Sequence, residues 1–492
     1  MKTCKLIIRD EVNVTFQGLD PNTRRKCVAA VKYFIPQAQY LPAFKLGHWD
    51  GTVSFFALNG NTYYNILDKI LPIIIAEGYD IEEEDMRRQW EFEFTAVDEN
   101  FLYESKGAVW PAKHPAAGQP INLRDYQVEI INTFLENPAC VQEIATGAGK
   151  TIMSATLSYC VEEYGRTVVI VPNKSLVDQT EKDYKLLGLD VGVFYGDRKE
   201  PGHTHTVCTW QSVNEVIKRS KAGTVKKGGT TIEMFVEDVV CVIVDECHQA
   251  KGNVLKELLC GPFANVPIRW GLTGTVPKDE HEAMCLYMGI GQVKNQLAAK
   301  TLMDKGVLAK CHVNVLQLMD TPEFKSYHEE SGWLTGNKER LNWMSKKVQE
   351  LAESGNTLVL VNRIETGEYL EQAIKDSIFI NGNTNLAERK EHYDGVADAN
   401  GKIIIATYGV AAVGINIPRI FNLVLIEPGK SFVRVIQSIG RGIRKAEDKD
   451  FVQIWDIAST CKYSTRHLSK RKAIYKDANY PFTVKKIDWE KE

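Results

Sequence analysis

Two series of short Val- and Ile-rich runs, separated by amphipathic stretches, constrain this chain more than any other feature. The first series holds "RTVVIVP" (166–172), "VVCVIVDE" (239–246) and "RWGLTGT" (269–275). The second begins after about residue 320 and holds "TLVLVN" (357–362), "SIFING" (377–382), "KIIIATY" (402–408), "NLVLIEP" (422–428) and "FVQIWDIA" (451–458). Continuous apolar runs of this length, alternating with helical patterns, are how strands buried on both faces of a parallel sheet read. An α/β architecture with two such domains is expected, and 492 residues are too many for one hydrophobic core.

Boundaries follow from shifts in pattern. Residues 1–103 are set apart as a small domain, and "ESKGAVWPAKHPAAGQP" (104–120) reads as a linker. The first α/β domain spans 121–305, the second 306–460, and 461–492 is a basic C-terminal extension. Residues 296–320 suggest a hinge region, and the Gly/Lys-rich stretch 218–230 a surface loop.

Composition removes several classes. With 44% hydrophobic and 25% charged residues the chain reads as a soluble protein. No apolar run approaches a membrane span, and "MKTCKLIIRDEVNV" turns acidic too soon for a signal peptide, so a cytoplasmic location is expected. The 11 cysteines are scattered without a C-x-x-C pair, which favours reduced thiols over a disulfide frame or zinc site. The net charge of −3 hides asymmetry: residues up to about 69 and the last thirty or so are basic, whereas 82–104 is strongly acidic.

One loop carries chemistry. "VQEIATGAGKT" (141–151) nearly spells the phosphate loop G-x-x-x-x-G-K-[ST], with Ile144 where the leading glycine would stand. An anion cradle needs small residues, which Ala145, Gly147, Ala148 and Gly149 supply, and backbone N–H groups, with Thr146 also at the nucleotide, while Ile144 can end the strand. Lys150 would meet the β- and γ-phosphates and Thr151 would ligate magnesium. Some ninety-five residues downstream, "VIVDECH" ends a buried strand with Asp245, Glu246 and His248. Asp245 would hold magnesium, and Glu246 would orient and deprotonate the attacking water.

With these residues in order, the chain resembles the superfamily 2 helicases and translocases of the DExH type, over nearly everything after residue 122. "LRDYQ" (123–127) looks like that family's adenine-reading motif, with Arg124 and Gln127 at the nucleotide. "VPNKSLVDQ" and "TWQS" resemble its first-domain strand-binding motifs, which implies DNA contacts at Pro172, Asn173, Lys174, Thr209 and Gln211. "LTGT" (272–275) resembles the motif that couples hydrolysis to domain movement. In the second domain "LVNRIE" implies DNA contacts at Asn362 and Arg363, and "ATYGVAAVGINIP" implies one at Thr407 and a nucleotide contact at Gly414. "QSIGRGIRK" carries Gln437, Arg441 and Arg444 in the catalytic set, with both arginines on one side of a helical turn as arginine fingers. Asn416 stands where this family often has aspartate, and the absence of D-E-A-D points away from the dedicated RNA-helicase branch.

The resemblance therefore implies two tandem RecA-like domains that use ATP and Mg²⁺. The N-terminal "FKLGHWDGTVSFF" (44–56) is aromatic and basic, equally suited to packing a core or stacking on bases. Its F-x-x-G-x-W-D-G pattern resembles the phage UvsW-type recombination helicases, which implies that residues 1–103 are a small α+β domain with DNA contacts at Lys45 and Trp49, and with His48, Arg24, Arg25 and Lys26 as further candidates. The expected function is an ATP-dependent DNA helicase that unwinds or branch-migrates forks, displacement loops and Holliday-type junctions in recombination, replication and repair. The expected partner is branched and single-stranded DNA without sequence preference, engaged by a monomer, in a bacterial host cytoplasm if phage-encoded. A double-strand translocase without strand separation is the alternative, and a nucleic-acid-binding scaffold without turnover is a third reading.

Overall fold

A computed structural model describes residues 2–112, 116–225, 228–249, 253–277, 279–397, 399–414, 419–429 and 448–492. The chain divides into two compact units, Met1–Ile144 with Gly149–Gln296, and Ala145–Ala148 with Leu297–Glu492.

The first unit begins with a four-stranded sheet built from β1 (Lys2–Ile8), β2 (Asn13–Gln17), β5 (Asn61–Tyr63) and β6 (Tyr79–Asp85), in the order β5-β2-β1-β6. A small ribbon pairs β3 (Lys32–Phe34) with β4 (Thr52–Ser54). Alternation in β1 buries Cys4, Leu6 and Ile8 on one face, and the helix Leu67–Ala76 covers that face with Ile70 and Ile74. The helix Pro21–Ala30 starts at Asp20, whose carboxylate accepts from Thr23 N at 2.8 Å. Two of the aromatics in residues 44–56, Phe55 and Phe56, are core, 2% and 1% exposed.

The eight-stranded sheet of the same unit runs β10-β9-β11-β8-β12-β13-β7-β14. Its strands are β7 (Ala139–Ile144), β8 (Arg166–Val171), β9 (Val191–Tyr195), β10 (Arg198–Lys199), β11 (His205–Thr209), β12 (Val239–Asp245), β13 (Ile268–Thr273) and β14 (Gln292–Leu297). From β9 through β7 every pairing is parallel, so the carboxyl ends of β7, β8, β11, β12 and β13 lie along one edge. Ligands bind at that edge in such sheets. The segment after β6 is built into this unit: a helix covers Phe101–Lys106, and Val109 bridges Pro120.

The N-terminal sheet shares its core with the helix Glu280–Gly289 of the eight-stranded sheet, which contributes Met284, Cys285 and Met288. Polar bonds fix the seat: Asn13 Nδ2 donates to Cys260 O at 2.9 Å, Glu11 N to Ala264 O at 3.0 Å, and Asn65 Nδ2 to Tyr287 O at 2.9 Å. Beneath, the fully buried Arg269 of β13 donates to the carbonyls of Leu259, Phe263 and Gly289. Two of these acceptors end helices, whose dipoles help offset the buried charge, as do Asp10 and Glu11.

His205 in β11 is fully buried, edge-on to Tyr184, and neither ring nitrogen has a hydrogen-bond partner. Burial pushes its imidazole down to about 4. The unfolded chain takes up a proton near pH 6.5 while the folded chain does not, so this residue lowers stability as pH falls below 6.5. The loss is about 2 kcal/mol at pH 5. We expect His205→Leu to flatten the drop in melting temperature between pH 7 and pH 5 measured by calorimetry. A parallel drop in parent and variant would contradict the assignment.

The second unit holds a seven-stranded, all-parallel sheet in the order β17-β18-β16-β19-β20-β15-β21. Its strands are β15 (Lys310–Leu318), β16 (Thr357–Val361), β17 (Ser377–Ile380), β18 (Ile403–Thr407), β19 (Asn422–Ile426), β20 (Phe451–Ser459) and β21 (Phe482–Ile487). The basic C-terminal residues are part of this body: the helix Lys462–Asp477 buries Leu468, Ile474 and Tyr475, and β21 pairs with β15. Arg471 forms a fully buried two-pronged pair with Asp456, at 2.8 Å for each bond. The architecture is the expected one, a small α+β domain followed by two parallel-sheet α/β domains. Among the described residues no helix is long and apolar enough to cross a membrane.

Candidate active site

The phosphate loop follows β7. Ile144 closes that strand with a fully buried side chain, which explains its place where the motif's first glycine would be. Gly147 and Gly149 take φ of 90° and 85°, in the region that favours glycine. Gly149 also packs close to Gln127, since a Cβ there would come within 2.5 Å of Gln127 Nε2. The helix Lys150–Val161 starts at the loop's end, so its N-terminal N–H groups and dipole are available to an anion, with Thr151 at its second position.

Across the edge, β12 ends at Asp245 and the chain turns sharply at Glu246, with φ of 49°. Lys150 Nζ meets Glu246 Oε1 at 2.8 Å, with the two side chains 10% and 13% exposed. Glu246 Oε2 accepts from Gly274 N at 3.3 Å and lies 3.5 Å from His248 Nδ1. His248 Nδ1 in turn bonds Thr273 Oγ1 at 2.7 Å, and Thr273 Oγ1 donates to Thr275 O at 2.7 Å. The "LTGT" segment is therefore wired to the acidic motif through one carboxylate and one imidazole. Burial pushes the Glu246 carboxyl up, but Lys150, then His248 and the two hydrogen bonds, outweigh it and hold it ionised. Burial and the neighbouring Glu246 charge raise Asp245, with Lys150 opposing. Burial lowers His248, with the Glu246 charge opposing. Nearby, Gln127 is buried and its Oε1 accepts from Arg124 N at 2.9 Å, while Arg124 Nη1 donates to Tyr126 OH at 2.9 Å. The glutamine expected to read adenine thus also caps the helix Asp125–Glu136.

Pairs of sequence motifs meet at the sheet edges. In the first unit β8 and β11 are neighbours with Val171 opposite Thr209, and Gln211 Nε2 donates to Pro172 O at 3.3 Å. Asn173 caps the helix Lys174–Leu186 through Leu176 N at 3.0 Å, and its buried Nδ2 has no partner. Thr209 is 4% exposed and its hydroxyl is engaged with Ser212, so Gln211 is the exposed member of its motif. In the second unit β16 and β18 are neighbours with Val361 opposite Thr407, which brings Asn362, Arg363 and Thr407 together. Asn362 Nδ2 donates to Glu427 O at 2.5 Å, and Gly414 ends the helix Tyr408–Gly414.

Residues 120–278 match the family described as the Type III restriction enzyme, res subunit, and residues 339–446 match the helicase conserved C-terminal domain. The chain belongs to the superfamily 2 helicases. It is 25% identical over 472 residues to the ATP-dependent DNA helicase UvsW of Enterobacteria phage T4, covering 90% of this chain and 88% of that one. It is 24% identical over 400 residues to the putative DNA 3'-5' helicase Rad25 of Haloarcula marismortui, covering 77% of this chain and 61% of that one. Its fold is also that of a putative HsdR fragment from a type I restriction enzyme of Vibrio vulnificus YJ016, with TM-score 0.56, 18% identity, and 75% and 69% of the two chains covered.

In this superfamily 2 motor, Lys150, Asp245, Glu246 and His248 stand together in the first unit. The donor set fits a nucleoside triphosphate with magnesium: a glycine-only turn at Gly149, a lysine, a helix start and a carboxylate at a strand end. Gln437, Arg441, Arg444 and Asn416 lie outside the described residues. In the N-terminal domain Lys45, His48 and Arg25 are exposed, whereas Lys26 is paired with Glu77 at 2.5 Å and Arg24 donates to Leu58 O at 3.2 Å. Trp49 is half-buried, its Nε1 donating to Thr52 O at 2.8 Å. Sequence reading did not find the Arg340–Glu427 pair, 2.8 Å apart and buried with Asp320 and Ser464 beneath the carbonyl that holds Asn362. Its only signal is an arginine inside an amphipathic helix.

Proposed function

We propose that this ATP-dependent DNA helicase remodels branched DNA, driving forks, displacement loops and four-way junctions by cycles of hydrolysis. The observation that carries the reading is the reach of its similarity to the phage T4 DNA helicase. That similarity covers 90% of the chain, more than residues 121–492 can supply. A module beyond the motor itself is what a preference for branches requires.

In the resting pocket Lys150 neutralises Glu246 and keeps it a weak base. When Lys150 turns to the phosphates, Glu246 loses that partner and its basicity rises, so it can orient a water and accept its proton. His248 and Gly274 N keep the carboxylate aimed during this exchange. Magnesium, when bound, supplies charge neutralisation at the phosphates, and Thr151 and Asp245 are the residues that would hold it. Arg441 and Arg444 are proposed to meet the charge that develops on the transferred group. Arg441→Ala should keep ATP binding and lose turnover by on the order of 10³-fold, read by single-turnover hydrolysis. Parental turnover would remove the finger assignment.

Strand contacts through Pro172, Asn173, Lys174, Gln211, Asn362, Arg363 and Thr407 would be mainly to phosphates, giving little sequence preference. The test is a panel of forks, displacement loops, four-way junctions and linear duplexes, with hydrolysis and strand displacement measured together. Displacement on branched substrates is expected. DNA-stimulated hydrolysis without displacement on any of them would establish the double-strand translocase instead.

A further inference from the structure

Residues 34–51 of the N-terminal domain present large apolar side chains to water. Tyr40 is 71% exposed, Leu46 68%, Phe34 48% and Leu41 46%. Four such residues within so short a segment form a patch of the kind that marks a binding surface. The segment is also braced. Phe34 and Phe44 pack edge to face at 6.0 Å, Trp49 is tied to Thr52 O, and Ile35 N donates to Gly51 O at 2.8 Å. Gly51, at φ of 77°, has no room for a side chain, since a Cβ would come within 2.6 Å of the Phe34 ring. The exposed groups therefore sit on a rigid support.

The local charge selects the occupant. Between residues 22 and 67 the sequence holds five Lys or Arg and one acidic residue, Asp50, which is paired with Lys32 at 2.6 Å. Arg25 and Lys45 are exposed, with no acidic partner among the described residues. Five acids of this domain, Asp80, Glu82, Glu83, Glu84 and Asp85, lie instead on β6, at one edge of its sheet. Two aromatics and two leucines flanked by cations match a surface that is flat and apolar in its centre and anionic at its sides, which describes the end of a base stack with its phosphates.

We propose that residues 34–51 are a strand-separating tip, with Tyr40 and Leu46 packing on the outermost base pair at the branch. This rests on the DNA-helicase reading and names the surface that meets the junction.

The test uses the full chain, a Tyr40→Ser/Leu46→Ser double variant, and a fork carrying 2-aminopurine at the junction. Binding of the parent should change the junction fluorescence, and the double variant should leave it unchanged. Fork unwinding should fall by about tenfold while hydrolysis stimulated by linear single-stranded DNA stays at the parental rate, which also certifies folding. Tyr40→Phe should restore unwinding, because the ring face and not the hydroxyl is used. Parental unwinding by the double variant, or no fluorescence change with the parent, overturns the tip. Sedimentation in which the parent self-associates and only the double variant is monomeric, with unwinding intact, reassigns the patch to a second copy. A parent whose hydrolysis no DNA stimulates defeats the helicase reading itself.

Discussion

Lys150→Ala is expected to lose ATP turnover by roughly 10⁴-fold or more at a fixed ATP concentration, because two losses multiply. The ammonium is held 2.8 Å from Glu246 and is only 10% exposed. Removing it takes away the grip on the bound phosphates and the charge that stabilises the transition state. It also leaves Glu246 buried beside Asp245 with its largest counter-charge gone. Glu246 should then take up protons more readily, so the variant's pocket is doubly impaired. Fluorescent-nucleotide titration together with hydrolysis measures both effects. Parental affinity and rate would remove Lys150 from the site.

Glu246→Gln separates binding from chemistry. The amide keeps the size of the carboxylate and can still meet Lys150 and Gly274 N, but it cannot accept a proton. Hydrolysis should fall by up to about 10⁴-fold, the upper range for a general base, while nucleotide affinity is retained or improved. Because bound ATP then persists, the variant should form a long-lived complex with ATP and DNA, visible as slow dissociation from a labelled fork. Fast hydrolysis by this variant would mean that another group activates the water. His248→Ala is the informative companion: lower turnover with unchanged nucleotide affinity would follow from a carboxylate that is no longer aimed.

Where a segment is buried on both faces within one sheet, the sequence is readable. The runs that became β8, β12, β16, β18 and β19 are buried throughout, so their apolar content is continuous. The phosphate loop and acidic motif are readable for a related reason: the backbone demands glycine and the chemistry demands lysine and carboxylate. Segments that serve two partners are harder. The helix Glu280–Gly289 turns Leu286 to its own sheet and Met284, Cys285 and Met288 to the N-terminal core, so no single apolar stripe announces it. At the C-terminus, "RHLSKRKAIYK" reads as a basic tail, yet Leu468, Arg471, Ile474 and Tyr475 recur at helical spacing and face inward. One of those cations is buried because Asp456 waits for it on β20, which spacing alone does not disclose. For Gln127 the motif gave the position, whereas its capping bond to Arg124 and its closeness to Gly149 depend on the fold.

The central claim is that the pocket around Lys150 and Glu246 is an ATPase harnessed to DNA. Its most direct test is steady-state ATP hydrolysis by the full chain alone, with four-way-junction DNA, with single-stranded DNA, and with single-stranded RNA. The account predicts a low basal rate that rises severalfold with DNA and is abolished by Lys150→Ala. A rate that no DNA changes, or that RNA alone raises, would contradict it.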